Sequence, residues 1–287
     1  MNYRHAFHAG NFADVFKHAI LSRILVHLGD KSQPFRVIDT HAGAGCYDLA
    51  AEEASRTGEW QNGIGRLAAA ALEPDVRDLL APYLGAIAAF NPASLRCYPG
   101  SPLLALSLMR PQDRMVACEL EPQAVSSLIA NLKRDRRAKA VAIDGWVGLN
   151  AYVPPRERRG LAIVDPPFEE KDDFARLARE FVRAWRKWPT GIYALWYPIK
   201  DRSGPDAFAA ALKAAGVAKI LRSEIELAAD ADGGKLRACG LIVVNPPWRL
   251  AGELQRMLPG LTAALSDGRA GRWRADWLIG EKADLQH

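Results

Sequence analysis

The spacing of hydrophobic positions divides the chain into short apolar runs and longer stretches at helical period. After a polar, aromatic arm at residues 1–10, Phe12, Val15, Phe16, Ala19, Ile20 and Ile24 recur at the three-and-four spacing of a helix face. Asn11 is placed to cap that helix, and Gly29 to stop it just past His27. Strand-length apolar runs follow at residues 35–38, 114–120, 138–143, 161–164 and 191–197. Helical spacing is found at 103–109, 124–132, 174–188 and 207–215, between or after those runs. Residues 219–227 and 238–244 flank a polar turn, Asp230-Ala231-Asp232-Gly233-Gly234, which reads as a hairpin. Strand–helix alternation of this kind predicts an α/β fold with a mainly parallel sheet. The rhythm breaks after Glu52, where residues 64–72 and 74–90 are alanine- and leucine-rich at helical spacing. The Tyr98-Pro99-Gly100-Ser101-Pro102 turn returns the chain to the core. The expected organisation is therefore a core of residues 1–48 and 95–287, with a small helical insertion at 49–94.

Composition narrows this picture only a little. With 287 residues, 49% hydrophobic and 25% charged, the chain has room for one large α/β domain with an insertion. No apolar run approaches the roughly 20 residues that span a bilayer, and no apolar segment follows Met1–His5 as a secretory signal requires. Cys46, Cys97, Cys118 and Cys239 show no paired spacing, so reduced cytosolic thiols are expected, not a disulfide or a zinc site. Charge says more through its clustering than through its sum. Lys133-Arg134-Asp135-Arg136-Arg137, Arg156-Glu157-Arg158-Arg159, Arg183-Ala184-Trp185-Arg186-Lys187-Trp188 and Arg272-Trp273-Arg274 gather basic side chains, in places among aromatics. That pattern fits a polyphosphate backbone with stacking partners, the alternative being solvated surface.

The chemistry concentrates where an apolar strand meets two prolines, at Leu161-Ala162-Ile163-Val164-Asp165-Pro166-Pro167-Phe168. The prolines stop the strand and leave Asp165 at its end, where open α/β sheets bind ligands. A carboxylate, a stiff turn and an aromatic ring suit the exocyclic amino group of a flat base: Asp165 accepts one N–H, a backbone carbonyl the other, and Phe168 stacks. The bland reading is a strand ending in a turn, with Asp165 as a helix cap. Asp39-Thr40-His41-Ala42-Gly43-Ala44-Gly45 places an acid four residues before Gly-x-Gly, a loop expected at a strand-to-helix turn. Glu119 and then Asp144-Gly145 end the next two strands, where ribose and an adenine amino group would lie. Asn245-Pro246-Pro247-Trp248 is a rival to Asp165-Pro166-Pro167-Phe168, but a closing hairpin should put it at the opposite rim. Five of the six histidines fall within the first 41 residues, with Asp14 and His18 one helical turn apart. No compact ligand spacing supports a metal there.

Together these residues resemble the 23S rRNA adenine-N6 methyltransferases of the RlmJ type. The most specific stretch runs from Tyr3-Arg4-His5 through Phe7-His8-Ala9-Gly10-Asn11 to Asp14, Lys17 and His18. The glycine loop, Tyr98–Pro102, Asp165-Pro166-Pro167, Ala194-Leu195-Trp196-Tyr197-Pro198 and Asn245-Pro246-Pro247-Trp248 also agree. The resemblance implies a class I S-adenosylmethionine-dependent methyltransferase, with a Rossmann-like, seven-stranded mixed sheet and a helical insertion. It implies S-adenosylmethionine around His18, His41, Ser101, Glu119, Asp144, Gly145 and Asp165, with Asp165 catalytic. Tyr3, His5, Lys17 and Phe168 are expected at the substrate, with Lys17, His5 and Tyr3 ordering the arm and meeting phosphates. Phe168 stands where the family has Tyr, which keeps the ring and loses the hydroxyl. The expected partner is 23S rRNA, for a cytoplasmic monomer with no metal and no membrane. A DNA adenine-N6 methyltransferase would share the core but should carry a larger target-recognition region than residues 49–94. A non-catalytic RNA-binding protein on this scaffold would not need an intact Asp-Pro-Pro.

Overall fold

Alternate residues of each central strand belong to opposite faces of one sheet. In the computed structural model, which describes residues 4–228 and 236–280, α1 (Phe12–Gly29) leads into β1 (Arg36–Asp39). Then β2 (Cys46–Asp48), α2 (Glu52–Thr57), α3 (Ile64–Ala69), α4 (Pro74–Phe90) and β3 (Cys97–Pro99) intervene before α5 (Ser101–Leu108). Regular alternation follows: β4 (Arg114–Glu119), α6 (Pro122–Leu132), β5 (Ala138–Ala142), α7 (Gly145–Tyr152), β6 (Gly160–Val164), α8 (Asp173–Lys187), β7 (Ile192–Pro198) and α9 (Ser203–Ala214). The hairpin β8 (Ile220–Glu226) and β9 (Ala238–Val244), helix α10 (Leu250–Leu265) and edge strand β10 (Arg272–Ile279) complete the fold. The sheet runs β10-β8-β9-β7-β6-β1-β4-β5, with β4, β5, β1, β6 and β7 parallel.

β6 explains itself. All five of its residues are buried, the continuous apolar run of a strand covered on both faces. Its Leu161 and Ile163 pack with α1, α4, α5 and α10 on one side. Ala162 and Val164 pack with α7, α8 and α9 on the other. The mixed α/β sheet is the one expected, with eight strands instead of seven. The addition is β10, whose Arg-Trp-Arg opening carried no clear strand signal and which pairs antiparallel with β8.

Three expectations change. The glycine loop is not followed by a helix in sequence: Gly45 runs into β2, which pairs with β3. The helix arrives later, as α5, and the Gly100 N–H donates to the Gly45 carbonyl at 2.8 Å, so the strand–loop–helix arrangement is rebuilt in space. Second, Cys46 and Cys97 form a disulfide, with Cα atoms 6.6 Å apart, where free thiols were expected. Sequence spacing gave no hint, because the partners are brought together by the β2–β3 register, in which Cys46 faces Pro99 and Cys97 faces Asp48. Cys118 and Cys239 are free and buried. Third, α1 continues to Gly29 instead of stopping before it, and Asp30 is the cap. The turn expected at residues 230–234 lies outside the described residues.

Candidate functional site

A parallel sheet puts all of its carboxyl strand ends on one rim. Here that rim carries Asp39, Glu119, Asp144 and Asp165, at the ends of β1, β4, β5 and β6; the last three line a cavity of about 930 Å³, and Asp39 is buried behind it. The Gly43 N–H donates to Glu119 Oε2 at 2.8 Å, so the glycine loop and the β4 acid are joined directly. The long gap between Gly45 and Glu119 in sequence is therefore absent in space. Asp144 Oδ1 accepts the N–H groups of Trp146 and Val147 at 2.9 and 3.0 Å and so begins α7. Gly145 is required by crowding, since a Cβ there would collide with the Thr40 carbonyl and sit 2.6 Å from His41 Nε2. His41 packs edge-on to Trp146, and desolvation draws its imidazole down to about 4. Ser101 opens α5 at the same cavity.

The amino-terminal helix supplies the second wall. Asn11 Oδ1 accepts the N–H groups of Ala13 and Asp14, both at 3.0 Å, which fixes the first turn of α1. One turn later Lys17 Nζ donates to Asp14 Oδ1 at 2.9 Å and also to Asp165 Oδ2. His5 Nε2 bonds the other Asp14 oxygen at 3.0 Å, and the Gly10 N–H joins it at 2.9 Å. Asp14 and Lys17 are 2% and 4% exposed. Burial opposes both charges, but each is held by its partners: Lys17 stays well above the usual ammonium range beside Asp14 and Asp165. Asp14 stays well below the usual carboxylate range beside His5 and Lys17. Among the described residues, Asp165 Oδ1 takes no protein hydrogen bond. Lys17 thus anchors Asp165, its enclosed ammonium shared between two carboxylates.

The remaining expected residues sort clearly. His18 Nδ1 bonds the Tyr98 hydroxyl at 2.7 Å, while its buried Nε2 has no partner among the described residues. Burial pulls its imidazole down to about 3, so it is neutral. Asp39 is fully buried at the end of β1, and burial pushes its carboxyl up to about 7 although Ser101 and the His41 N–H act to lower it. Phe168 lies 4.9 Å from Phe174 and 5.9 Å from Trp196, centroid to centroid, in the same cavity. Tyr3 lies outside the described residues. Among the described residues no group of three His, Cys, Asp or Glu side chains is set to hold a metal. The early histidines instead take separate partners: His5 with Asp14, His8 with Glu59, His18 with Tyr98, His27 with Glu253 and His41 with Thr40. Asn245 is at the opposite rim, donating to the Pro189 and Gly191 carbonyls where β7 begins, and Trp248 there is 81% exposed. Sequence reasoning passed over Asp14 as a site residue, although Asp14 and Lys17 sit at an ion-pair spacing on the helix that was predicted.

A glycine loop after the first strand of such a sheet, with acids ending the next three strands, defines a class I methyltransferase, whose methyl donor is S-adenosylmethionine. The family model described as ribosomal RNA large subunit methyltransferase D, RlmJ, matches residues 32–279, and the chain belongs to that family. It is 40% identical to the ribosomal RNA large subunit methyltransferase J of Escherichia coli (strain K12), over 98% of this chain and 100% of that one. The Haemophilus influenzae protein of the same name is 38% identical over the same shares. The crystal structure of protein LPL1258 from Legionella pneumophila superposes with a TM-score of 0.86 at 32% identity, covering 96% of this chain and 99% of the other.

Proposed function

We propose that the protein methylates N6 of an adenine in 23S rRNA, with the target base flipped into the cavity beside Asp165-Pro166-Pro167-Phe168. The observation that carries this reading is the state of Asp165: Lys17 fixes one carboxylate oxygen and the other has no hydrogen-bond partner among the described residues. S-adenosylmethionine, when bound, supplies an electrophilic methyl group. The chain's residues suit that donor, with Glu119 at the glycine loop for ribose hydroxyls, Asp144 and Gly145 for the adenine end, and Ser101, His41 and the buried His18 Nε2 for its other polar groups.

Asp165 Oδ1 accepts one hydrogen of the target amino group and the Pro166 carbonyl accepts the other. That pair of contacts directs the nitrogen lone pair towards the donor, and such positioning supplies much of the acceleration. Asp165 Oδ1 then stands where the nitrogen's departing proton goes. Phe168 stacks on the base, offsetting part of the few kcal/mol that flipping costs. His5 lines the cavity and bonds Asp14, and we assign Tyr3 to the substrate as well. Lys17 keeps the carboxylate from turning away, which replaces its expected phosphate contact. We take residues 49–94 as an insertion in the core of residues 1–48 and 95–287. Its Ile64, Leu67 and Leu80 share a core with Phe16 and Ile20 of α1, so it braces the helix that carries Asp14 and Lys17. An rRNA substrate places the reaction in the cytoplasm, and we take the active form to be a monomer.

The test is product identity. Large-subunit rRNA transcript and duplex DNA are each incubated with protein and labelled S-adenosylmethionine, then digested to nucleosides for mass analysis. The expected product is N6-methyladenosine from the RNA alone. Label confined to the DNA, or to another base or another ring position, contradicts the reading.

A further inference from the structure

Topology sorts the four basic clusters, and none of them forms the mouth of the target cavity. Residues 133–137, 156–159 and 183–188 precede β5, β6 and β7, so they lie at the rim opposite Asp165. Arg272 and Arg274 are on the near rim, but each faces a carboxylate across the strands, Glu226 at 3.6 Å and Glu224 at 3.5 Å. The insertion offers no substitute, since residues 49–94 hold six acidic side chains against three basic ones.

Of the described cations that line the cavity, Lys17 is held by Asp14 and Asp165, and Arg4 donates to Gln123. Arg66 donates to the Leu265 carbonyl, and Arg176 lies 3.8 Å from Asp144, which leaves Lys200 and Arg237. Trp196, Pro198 and Lys200 alternate along β7 and its continuation, and all three line the cavity. The Ile199 N–H donates to the Ala238 carbonyl at 2.9 Å, which extends the β7–β9 register past Pro198–Cys239 and brings Lys200 alongside Arg237. Arg237 lines the cavity too. Among the described residues, neither Lys200 nor Arg237 has a carboxylate within ion-pair distance. Asp201, the neighbour of Lys200, accepts instead from the Ser203 N–H at 2.8 Å. Glu224 is taken by Arg202 and the Tyr197 hydroxyl. Two like charges side by side on adjacent strands repel each other. An anion between them reverses the sign of that interaction. The pair also stands two alternate positions beyond Trp196, whose ring meets Phe168.

We infer that Lys200 and Arg237 form a phosphate clamp that grips the RNA backbone next to the flipped nucleotide. This rests on RNA being the substrate. Base contacts at Asp165 and Phe168 select the target, while the clamp sets the register of the strand that carries it.

The test compares Lys200→Ala/Arg237→Ala with Arg134→Ala/Arg136→Ala, a control at the far rim. Each protein is assayed for methyl transfer to the rRNA transcript across a salt series, and for the thermal shift given by S-adenosylhomocysteine. The clamp variant should raise KM for RNA by about tenfold or more, with kcat within about twofold and the S-adenosylhomocysteine shift unchanged. Each phosphate contact contributes about 0.7 to 0.9 to the slope of log affinity against log salt, so losing two should flatten it by roughly 1.4 to 1.8. The control should change neither quantity. A clamp variant with wild-type KM and slope, or a control with the larger loss, overturns the inference. A wild-type protein that leaves RNA unmethylated sinks the underlying function instead.

Discussion

Lys17 decides what Asp165 can do. Its ammonium joins two carboxylates in a region almost closed to solvent, and removing one partner of such a group leaves the other buried without its counter-charge. Lys17→Met should therefore cost about 3–5 kcal/mol of unfolding free energy, the range for breaking a buried pair. Removing both charges, in Asp14→Leu/Lys17→Met, should recover most of that loss, because no unpaired charge remains at Asp14. Methyl transfer should stay low in both variants, since Asp165 has lost its anchor in each. Urea unfolding gives the first quantity and a transfer assay the second. A Lys17→Met protein as stable as wild type would mean that the ion network contributes little to the fold.

At the scale of elements, legibility followed burial. β6, β7 and β9 were readable because strands covered on both faces must be apolar nearly throughout. α1 was readable because Asn11 caps it and its apolar residues recur at helical spacing. The short helices α2 and α7 and the edge strand β10 were not, since Glu52–Thr57 has no apolar stripe, α7 carries the poor helix formers Gly145 and Gly148, and an edge strand is half exposed. α10 was missed although it is long; its internal Pro259 reads as a stop. The site divides in the same way. Asp39, Glu119, Asp144 and Asp165 could be placed because strand ends are visible in sequence. The pairing of Asp14 with Lys17 and Asp165 could not, because it joins α1 to β6 across a long stretch of chain. Lys200 and Arg237 escaped for a related reason: each is a lone cation in sequence, and only the β7–β9 register makes them neighbours. The basic clusters misled because runs of charge report composition, while strand direction decides the rim on which they emerge. Direction also settled the rival motif, since β9 runs antiparallel to β7 and delivers Asn245 to the far side.

The whole molecule should lose stability in mild acid. Desolvation holds His18 at about 3 and His41 at about 4, so both stay neutral in the fold, whereas in the unfolded chain they take up protons below about 6.5. The stability they lend is complete above that value and is lost as pH falls. Asp39 acts in the opposite sense. Burial raises it to about 7, so the fold keeps its proton after the unfolded chain has released one near 3.8. Its contribution is present at low pH and is lost as pH rises through that window. Two groups against one leave a net loss between pH 6.5 and 4. Tm should fall across that range, and less steeply in His18→Asn, which keeps a partner for Tyr98 without the buried imidazole. A flat wild-type profile, or parallel profiles for the two proteins, would argue against a neutral buried His18.

Catalysis rests on the Asp165 oxygen that has no hydrogen-bond partner among the described residues. Its most direct measurement is single-turnover methyl transfer to the rRNA transcript by Asp165→Ala, with RNA and S-adenosylhomocysteine affinities determined on the same preparation. Transfer should be lost while RNA binding stays within a few fold of wild type and the product of the donor still binds. Transfer at a near wild-type rate would contradict the account and move the chemistry to another residue.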